Sequence, residues 1–522
     1  MNTPTGPAVH QLVADGVIGP TDRSYWVVEG RLAAGAYPGQ SEPMADGGTP
    51  DVVARLLDAG IDVFVNLTED DNPRTHDGRL TRYDPFVDGR AIVDRRPFVD
   101  MGVPAPGQME HILDAIDTHL AGGRTVYVHC WGGLGRTGTV VGCWLIRHSL
   151  ATRHTALATL DQLRLGDRGA GHRPSPQTDT QCAMVRGWRS RPSRRDAVVG
   201  CLLGGAIGDA LGAGIEFYDL ATIERRYGPA GVTDFTPHFG HEAPITDDTQ
   251  MTLFTTEGLI EAADDGTDRV GSVWAAYQRW FHTQGGDLPA DTAPDHGLLA
   301  VDDLHSRRAP GNTCCSAIAG GEPGATTHVI NDSKGCGGVM RAAPAGVVAT
   351  DGADAYRLGC DVAALTHSHP CGWVAAGALA VMVHGLLAGR SLPEAVDVAI
   401  ETVDGPDIHP GVVGALRDAV ALADAAPDAR GIERLGAGWV AEEALAIAVC
   451  AVLAEPDPDA ALLLAVNHSG DSDSTGAIAG NLLGAAHGVD ALNPDWRHRV
   501  ELADTITGLA ERLAGSGHAG AQ

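Results

Sequence analysis

An acidic turn at residues 467–476, with the sequence NHSGDSDSTG, runs directly into small apolar residues at 477–485. Asp471 and Asp473 stand one residue apart in this turn, and Ser474 follows them. Alternating carboxylates in a tight turn can converge on one hard cation, and a helix of small residues can pack closely enough to hold them in place. Helix capping is the alternative explanation of an isolated pair of this kind.

A second acidic cluster lies far upstream, where Thr246, Asp247 and Asp248 precede an amphipathic run at residues 250–260. Adjacent carboxylates repel each other unless a cation lies between them. Each cluster stands at the start of a predicted helix, and the two together indicate a two-metal carboxylate site better than two independent caps. Because these ligands all offer oxygen, Mg²⁺, or alternatively Mn²⁺, is favoured over Zn²⁺.

Five blocks of sequence resemble, in the same order, the motifs of the ADP-ribosylglycohydrolase family of the dinitrogenase-reductase-activating type. They are residues 200–212 with Glu216, residues 246–249, residues 335–341 (GCGGVMR), Thr366 with His367, and residues 471–474. The resemblance extends over about residues 197–513. It implies a domain that holds two divalent cations and cleaves the glycosidic bond between ADP-ribose and its acceptor.

The resemblance also implies roles for individual residues. Glu216 would be the mobile acidic residue that covers the metals or acts as a base. The metal ligands would be Thr246, Asp247, Asp248, Asp471, Asp473 and Ser474. Ser333, Gly335 and Gly337 match the loop that holds the diphosphate and ribose. His367 matches a histidine on the substrate side, with a histidine of the core as the alternative.

The chain after residue 196 is rich in Ala, Leu and Gly with helical periods, and strand patterns are nearly absent. We therefore expect an all-α domain at residues 197–522, with connecting loops at the rim of a cleft. Most of the net charge of −30 lies in this part of the chain. A nucleic-acid partner is therefore not expected, because phosphate backbones need a basic face.

The first part of the chain alternates strand and helix patterns. Short buried strands are indicated at residues 25–28, 61–67 and 125–128, with helical patterns at 51–59 and 108–120 between them. This alternation predicts an α/β domain with a mostly parallel central sheet. We place this domain at residues 24–190, after a loosely ordered N-terminus at 1–23, and we place a linker rich in arginine at 191–196.

A glycine-rich loop follows the last of these strands, where residues 129–138 have the sequence HCWGGLGRTG. The glycines of this loop are Gly132, Gly133 and Gly135. They let successive backbone N–H groups turn inward, which forms an anion-binding nest. The start of the following helix adds its positive end, and Arg136 can hold two oxygens of a phosphoryl group. This positive field favours a nucleophilic thiolate at Cys130, with a buried structural cysteine as the alternative.

The loop resembles the H-C-x5-R-S/T signature of cysteine-dependent tyrosine and dual-specificity phosphatases, and it is most similar to the cyclin-dependent-kinase-associated branch. The resemblance covers about residues 24–188. It implies that Asp100 protonates the leaving oxygen, with Asp94 as the alternative, and that Thr137 hydrogen-bonds the departing thiolate. Chemistry through a phosphocysteine needs no metal.

The two halves together predict a bifunctional enzyme, a metal-dependent ADP-ribosylhydrolase joined to a cysteine phosphatase. The expected partners are an ADP-ribosylated protein or ADP-ribose derivative, and a phosphorylated protein or small phosphomonoester. One alternative is an active phosphatase whose helical domain binds ADP-ribose, or a related nucleotide, without turnover. Another is a scaffold in which neither site turns over.

Features of targeting give the expected location. We expect no apolar run of about 18 residues that would span a membrane and no secretory signal at residues 1–18. The ten cysteines contain no C-x-x-C pair of the metal-binding kind. A cytoplasmic protein with reduced thiols and no membrane partner is therefore expected.

Overall fold

The computed structural model describes residues 11–14, 16–39, 50–69, 82–148, 150–188, 191–290, 292–405 and 408–516. Contacts divide the chain into two compact units, Met1–Ser190 and Arg191–Gln522. The segment predicted as a linker, residues 191–196, is part of the second unit. Ser193 caps a helix that begins at Arg194, and the Arg194 side chain donates a hydrogen bond to the Val347 carbonyl oxygen at 2.7 Å.

The described part of the first unit alternates strands and helices. Its strands are β1 (Ser24–Val28), β2 (Leu32–Gly35), β3 (Val63–Asn66), β4 (Ile92–Arg95) and β5 (Val126–His129). Its helices are α1 (Asp51–Asp58), α2 (Asp84–Val87), α3 (Pro106–Ala121), α4 (Gly135–Arg147), α5 (Ala156–Arg164) and α6 (Asp179–Gly187). The first unit is therefore an α/β fold.

The sheet of the first unit has the strand order β1-β2-β5-β3-β4. It is mixed, because β1 pairs with β2 in the antiparallel direction while the three other pairings are parallel. Strands β3 and β5 consist of buried residues throughout, as is typical of parallel strands covered on both faces. The carboxyl ends of β3, β4 and β5 lie along one edge, so the loops that follow them meet there.

The described residues before β1 are packed against this unit. The amide of Val13 donates a hydrogen bond to the Val27 carbonyl oxygen at 3.1 Å, and the amide of Gly19 donates one to Gly166 at 3.1 Å. Within the segment predicted to be loosely ordered, residues 11–14 and 16–23 therefore include residues that make backbone hydrogen bonds to the rest of the unit. The remaining residues of this segment, 1–10 and 15, lie outside the described part of the chain.

The regular elements in the described part of the second unit are all helices. They are α7 (Arg194–Gly212), α8 (Leu220–Tyr227), α9 (Asp247–Asp265), α10 (Arg269–Thr283), α11 (Asn312–Ala319), α12 (Ala343–Val348), α13 (Gly352–Ala364), α14 (Pro370–Leu387), α15 (Leu392–Val403), α16 (Pro410–Ala423), α17 (Ala429–Ile432), α18 (Ala441–Ala454), α19 (Pro458–Val466), α20 (Ser472–His487), α21 (Pro494–Arg499) and α22 (Ala503–Ser516). Short 3-10 turns connect some of them, including Cys336–Gly338.

Helices α7 and α20 approach each other closely through two rows of glycines. On α7 the row is Gly200, Gly204 and Gly208, and the residues facing them on α20 are Gly484, Gly480 and Gly476. Residues four apart share one helix face, so each row forms a smooth groove. A Cβ on Gly480 would lie only 1.9 Å from the Gly204 carbonyl oxygen. This antiparallel contact brings the end of α7 beside the start of α20.

Helix α14 is long and apolar enough to cross a membrane by length and composition, with a mean hydropathy of 1.6 over 18 residues. The expectation that the chain contains no such stretch is therefore wrong. However, 83% of this stretch is buried inside the structure. Helix α14 packs against α12, α13 and α15, among others, which is the position of a core helix.

Candidate functional sites

The loop after β5, residues 130–135, is held in place from the rest of the first unit. Arg23 Nη2 donates a hydrogen bond to the Gly132 carbonyl oxygen at 2.9 Å. Gly133 has a φ of +70°, and a Cβ there would lie 2.4 Å from the backbone carbonyl carbon of Gly35. Only glycine fits this position, so the sequence of the loop determines its turn.

The cysteine of this loop, Cys130, directly follows a buried histidine, His129. Cys130 is 3% exposed, and His129 before it is fully buried. His129 Nε2 lies 2.7 Å from the Tyr83 hydroxyl, and Nδ1 lies 3.3 Å from the Cys130 carbonyl oxygen. Burial, together with the charges of nearby arginines, lowers the pKa of His129 to about 3. The neutral imidazole therefore supports the loop by hydrogen bonding.

Arg136 connects the loops that follow three neighbouring strands. Its Nη1 donates hydrogen bonds to the carbonyl oxygens of Leu67 at 3.1 Å and Phe98 at 2.9 Å. Its Nη2 lies 3.1 Å from Asp100 Oδ1. Nε is buried and has no hydrogen-bond partner among the described residues. Arg136 therefore fixes the edge of the sheet and keeps a donor for an anion.

The structure places Asp100, rather than Asp94, beside Arg136. Asp94 lies on β4, where its carboxylate is 3.2 Å from His119 Nε2 and also pairs with a neighbouring arginine. The Asp100 amide donates a hydrogen bond to Glu69 Oε2 at 3.3 Å, and the same oxygen lies 3.4 Å from Arg136 Nη1. Glu69 is a candidate that sequence reasoning missed, and its position just after β3 was the available signal.

Thr137 supplies a second polar atom, its Oγ1, that, like Arg136 Nε, has no hydrogen-bond partner among the described residues. It lies in the first turn of α4 and is fully buried. Because an unsatisfied buried hydroxyl costs about 1–3 kcal/mol, this oxygen is available to a ligand or a thiolate.

Helix ends bring the acidic residues of the second unit together. Glu216 lies in the turn after α7, Asp471 is the N-cap of α20, and Asp473 lies in its first turn. Ligand oxygens of these three residues all lie within 4.8 Å of one another. Residues far apart in the sequence therefore form one carboxylate cluster.

The upstream acidic motif reaches the same cleft. Thr246 is the N-cap of α9, and Asp247 and Asp248 in its first turn line the cleft together with Glu216 and Asp471. The two aspartates are 5% and 3% exposed. Thr246 itself is fully buried, and its hydroxyl accepts a hydrogen bond from the Asp248 amide at 3.3 Å. Its side chain thus positions the aspartate.

The acidic cluster has the electrostatics of a cation site. Burial, followed by repulsion from neighbouring carboxylates, raises the pKa of Asp247, Asp248 and Asp471 well above the usual carboxyl range. Burial raises the pKa of Glu216 to about 11, and the charges of Asp473 and other carboxylates contribute to this rise. Oδ1 of Asp248 is buried without a hydrogen-bond partner among the described residues. Such groups either retain protons or take up cations.

Asp209 supports the cluster from behind, and sequence reasoning assigned it no role. It is fully buried on α7, and its carboxylate accepts hydrogen bonds from the Thr246 amide at 3.0 Å and from the Thr249 amide at 3.1 Å. Burial, followed by repulsion from Asp473, raises its pKa to about 7. Asp209 therefore holds the start of α9 against α7.

The carboxylates lie in a cleft of about 590 Å³. Phe217 and Trp439 form a stacked pair at this cleft, with ring centroids 5.2 Å apart and an interplanar angle of 24°. They are 67% and 40% exposed, although both rings are large and apolar. Phe217 directly follows Glu216, so a flat aromatic surface begins beside the acidic cluster.

The predicted diphosphate and ribose residues surround the other side of the cleft. Gly335, Gly337 and His367 line it. Ser333 Oγ accepts a hydrogen bond from the Gly335 amide at 3.3 Å and so shapes this loop. His367 is 2% exposed, and burial, together with the charge of Arg341, lowers its pKa to about 3. Its Nδ1 lies 2.8 Å from the Thr366 hydroxyl, so Nε2 is the nitrogen that this neutral histidine offers to the cleft.

Ser474 and Cys336 complete the lining of the acidic end. The Ser474 amide donates a hydrogen bond to Asp473 Oδ1 at 2.9 Å, and its side chain lines the cleft. Cys336 Sγ lies 2.7 Å from Asp471 Oδ2. A thiol therefore stands beside one of the carboxylates that are predicted to bind the cations.

The first unit carries a glycine-rich loop whose cysteine and arginine are arranged to meet an anion. The second unit carries a buried carboxylate cluster in a cleft. Together these features are typical of a hydrolase with two domains. The model of the ADP-ribosylglycohydrolase family matches residues 190–521, and the chain belongs to this family. Residues 38–150 match the model described as polymorphic toxin system, DSP-PTPase phosphatase. The chain is therefore a fusion of a phosphatase domain with a glycohydrolase domain.

Individual proteins are similar to one unit or the other. The ADP-ribosyl-(dinitrogen reductase) glycohydrolase of Rhodospirillum rubrum is 28% identical over 322 residues, which cover 60% of this chain and 92% of the relative. Cyclin-dependent kinase inhibitor 3 of Rattus norvegicus is 31% identical over 123 residues, which cover 22% of this chain and 53% of the relative. A solved ADP-ribosylglycohydrolase-related protein complex is 25% identical with a TM-score of 0.45, covering 62% of this chain and 99% of that one.

Proposed function

We propose that the chain is a bifunctional cytoplasmic hydrolase. Its second unit would release ADP-ribose from an ADP-ribosylated protein or ADP-ribose derivative. Its first unit would hydrolyse a phosphorylated protein or small phosphomonoester through a phosphocysteine. The observation that carries the proposal is the meeting of Glu216, Asp471 and Asp473, whose ligand oxygens lie within 4.8 Å of one another.

Two divalent cations fit the second site. The unpartnered Asp248 Oδ1 and the raised pKa values of its neighbours describe a cluster that lacks positive charge. The cations would be held by Asp247, Asp248, Asp471, Asp473 and Ser474, with Thr246 behind them. Carboxylate and hydroxyl oxygens favour Mg²⁺, or Mn²⁺ as the alternative. When bound, such a pair polarises ribose hydroxyls and a water molecule.

The residues of the second unit would then bind and orient the substrate. Phe217 and Trp439 offer an exposed aromatic face on which an adenine ring can stack, an interaction worth about 1–3 kcal/mol. Gly335 and Gly337 allow the diphosphate to approach the backbone of their loop. Glu216, beside the metal ligands, would hold a proton or pass it to the departing acceptor.

The first unit would work without a metal. Cys130 Sγ attacks the phosphorus atom and forms a phosphocysteine, while Asp100 donates a proton to the leaving oxygen. Arg136 and the N–H groups of the glycine-rich loop hold the phosphoryl oxygens. Water then attacks phosphorus with Asp100 as the base, and the Thr137 hydroxyl stabilises the departing thiolate.

Product analysis separates this proposal from the alternative of a helical module that binds ADP-ribose without turnover. Metal-stripped chain is incubated with an ADP-ribosylated protein in Mg²⁺ or in EDTA, and free ADP-ribose is measured. We expect release in Mg²⁺ only, abolished by the double substitution Asp471→Ala and Asp473→Ala and unchanged by Cys130→Ser. Phosphatase activity should instead be abolished by Cys130→Ser and unchanged by the double substitution. Binding without release in either buffer would favour the module.

A further inference from the structure

Cys336 faces the acidic end of the cleft from a short 3-10 turn, Cys336–Gly338. Its amide donates a hydrogen bond to the Trp439 carbonyl oxygen at 3.2 Å, which fixes the backbone of the turn. Its Sγ lies 2.7 Å from Asp471 Oδ2 and lines the same cleft as Asp248. A cation that contacts this oxygen of Asp471 would therefore be within reach of the sulfur.

A second, independent observation indicates that a ligand belongs here. Asp248 is 3% exposed, and its Oδ1 has no hydrogen-bond partner among the described residues. A buried carboxylate oxygen without a partner is costly, so a neighbouring cation would stabilise it. Asp248 and Asp471 come from the starts of different helices, and Cys336 lines the same cleft as both of them.

Another cysteine at the cleft has a different environment. Cys314 Sγ accepts a hydrogen bond from Arg341 Nη1 at 3.3 Å and is fully buried. The guanidinium charge would repel a metal cation from this sulfur. Cys315, its neighbour on α11, is half-buried and does not line the cleft. The sulfur of Cys336 is therefore the one placed to meet a cation.

We propose that Cys336 is a metal ligand that raises the affinity of the cation position at Asp471 for thiophilic divalent cations, the class of Zn²⁺, Co²⁺ and Cd²⁺, while Mg²⁺ still binds there through the carboxylates. A thiolate is a soft ligand and adds affinity for these cations, whereas it adds little for Mg²⁺. As the sulfur–metal bond forms, the thiol proton passes to water, and nothing is oxidised or reduced. The inference rests on the metal site of the proposed function and is independent of the reaction.

Titration of the metal-stripped full chain with Cd²⁺ or Co²⁺ tests this assignment. A thiolate ligand produces a sulfur-to-metal charge-transfer absorption, which is followed together with the affinity by calorimetry. We expect the band in the wild type and not in Cys336→Ser, whose Cd²⁺ affinity falls roughly 10- to 100-fold or more while its Mg²⁺ affinity is retained. The matched control Cys315→Ser should keep the wild-type band. An equal band and affinity in Cys336→Ser would overturn the proposal.

Alkylation of the wild type provides a test that needs no variant to fold. Cd²⁺ should slow iodoacetamide labelling of Cys336, measured by peptide mass spectrometry, while Mg²⁺ at saturation should slow it much less. Equal labelling with and without Cd²⁺ would overturn the assignment. Because both readouts follow metal binding, a chain that shows them but releases no ADP-ribose would refute the proposed reaction and leave Cys336 as a ligand.

Discussion

Replacing Gly480 by alanine tests whether the glycine rows of α7 and α20 determine the geometry of the acidic cluster. A Cβ at this position would lie 1.9 Å from the Gly204 carbonyl oxygen and 2.9 Å from the Gly205 amide nitrogen. Ordinary contacts of a Cβ begin at 3.4 Å, so the helices would have to separate by about 1.5 Å. Both obstructing groups are backbone atoms, and no side-chain rotation can relieve the clash.

The expected loss of stability is large because two opposite effects differ in size. Alanine gains about 0.5–1 kcal/mol over glycine in a helix interior. Overpacking in a close contact costs about 1–3 kcal/mol, or more when backbone must move. Because backbone must move, the cost lies at the upper end of this range, and we expect Gly480→Ala to lower the free energy of unfolding of the second unit by about 2 kcal/mol. Separation of the helices should also move Glu216 away from Asp473, and so weaken Mg²⁺ binding.

The matched control is Gly414→Ala on α16, where a Cβ meets no atom within 4 Å. This variant makes the same chemical change and should stabilise the unit by about 0.5–1 kcal/mol. Guanidinium unfolding of both variants is followed by far-ultraviolet circular dichroism, with and without Mg²⁺. If Gly480→Ala were as stable as Gly414→Ala, or kept the full Mg²⁺-dependent stabilisation, the helix contact would not control the site.

Three further predictions concern individual side chains. In the metal-free chain the pKa of Glu216 is raised to about 11, so the folded protein keeps a proton that the unfolded chain loses above about pH 4. The contribution of this group to the free energy of unfolding is therefore fully present below that pH, and it falls by about 1.4 kcal/mol per pH unit between pH 6 and 8. Glu216→Gln should make the slope shallower by this amount and leave the slope due to the buried aspartates, and equal slopes in urea unfolding of the two proteins would contradict it. Glu69→Gln should weaken the hold on Arg136 and Asp100 and lower kcat/KM for p-nitrophenyl phosphate roughly 3- to 10-fold, since the carboxylate is partly exposed; an unchanged kcat/KM would show that Glu69 is dispensable. Trp439→Ala should weaken the binding of an ADP-ribosylated substrate by about 1–3 kcal/mol. This loss should raise KM while kcat is nearly retained, and an unchanged KM would exclude base stacking there.

Both acidic motifs could be located from the sequence because each one precedes a helix. The sequence leaves capping and metal binding as alternative explanations of these residues, and the structure shows that capping leaves room for a ligand. Asp471 Oδ1 accepts a hydrogen bond from the Ser474 amide at 3.4 Å, while Oδ2 faces Cys336 in the cleft. A carboxylate has two oxygens, so one can hold the helix start while the other meets a ligand. The local pattern therefore draws attention to these residues, and tertiary contacts show which oxygen caps the helix and which one faces the cleft.

The phosphate loop could be predicted in more detail than the cleft because its essential atoms are close in sequence. Residues 129–138 carry the glycines, the thiol and the guanidinium of one continuous turn. The partners of Arg136 come instead from the ends of β3 and β4, and which acidic residue meets it depends on strand order. The sequence left Asp94 and Asp100 as alternatives for this reason, and the parallel pairing of β3 with β4 places Asp94 within the strand and Asp100 beyond its end.

Cys336 and Asp209 could not have been assigned from sequence, and the reason is the same for both. Cys336 meets Asp471 across 135 positions of the chain, and Asp209 meets Thr249 across 40. No local period encodes such distances; they follow from how closely the helices approach. The four-residue spacing of glycines is visible in both α7 and α20, but the sequence does not state that these two rows face each other. Once the two rows face each other, the end of α7 must lie beside the start of α20. The helix contact therefore determines where the acidic residues of the site lie.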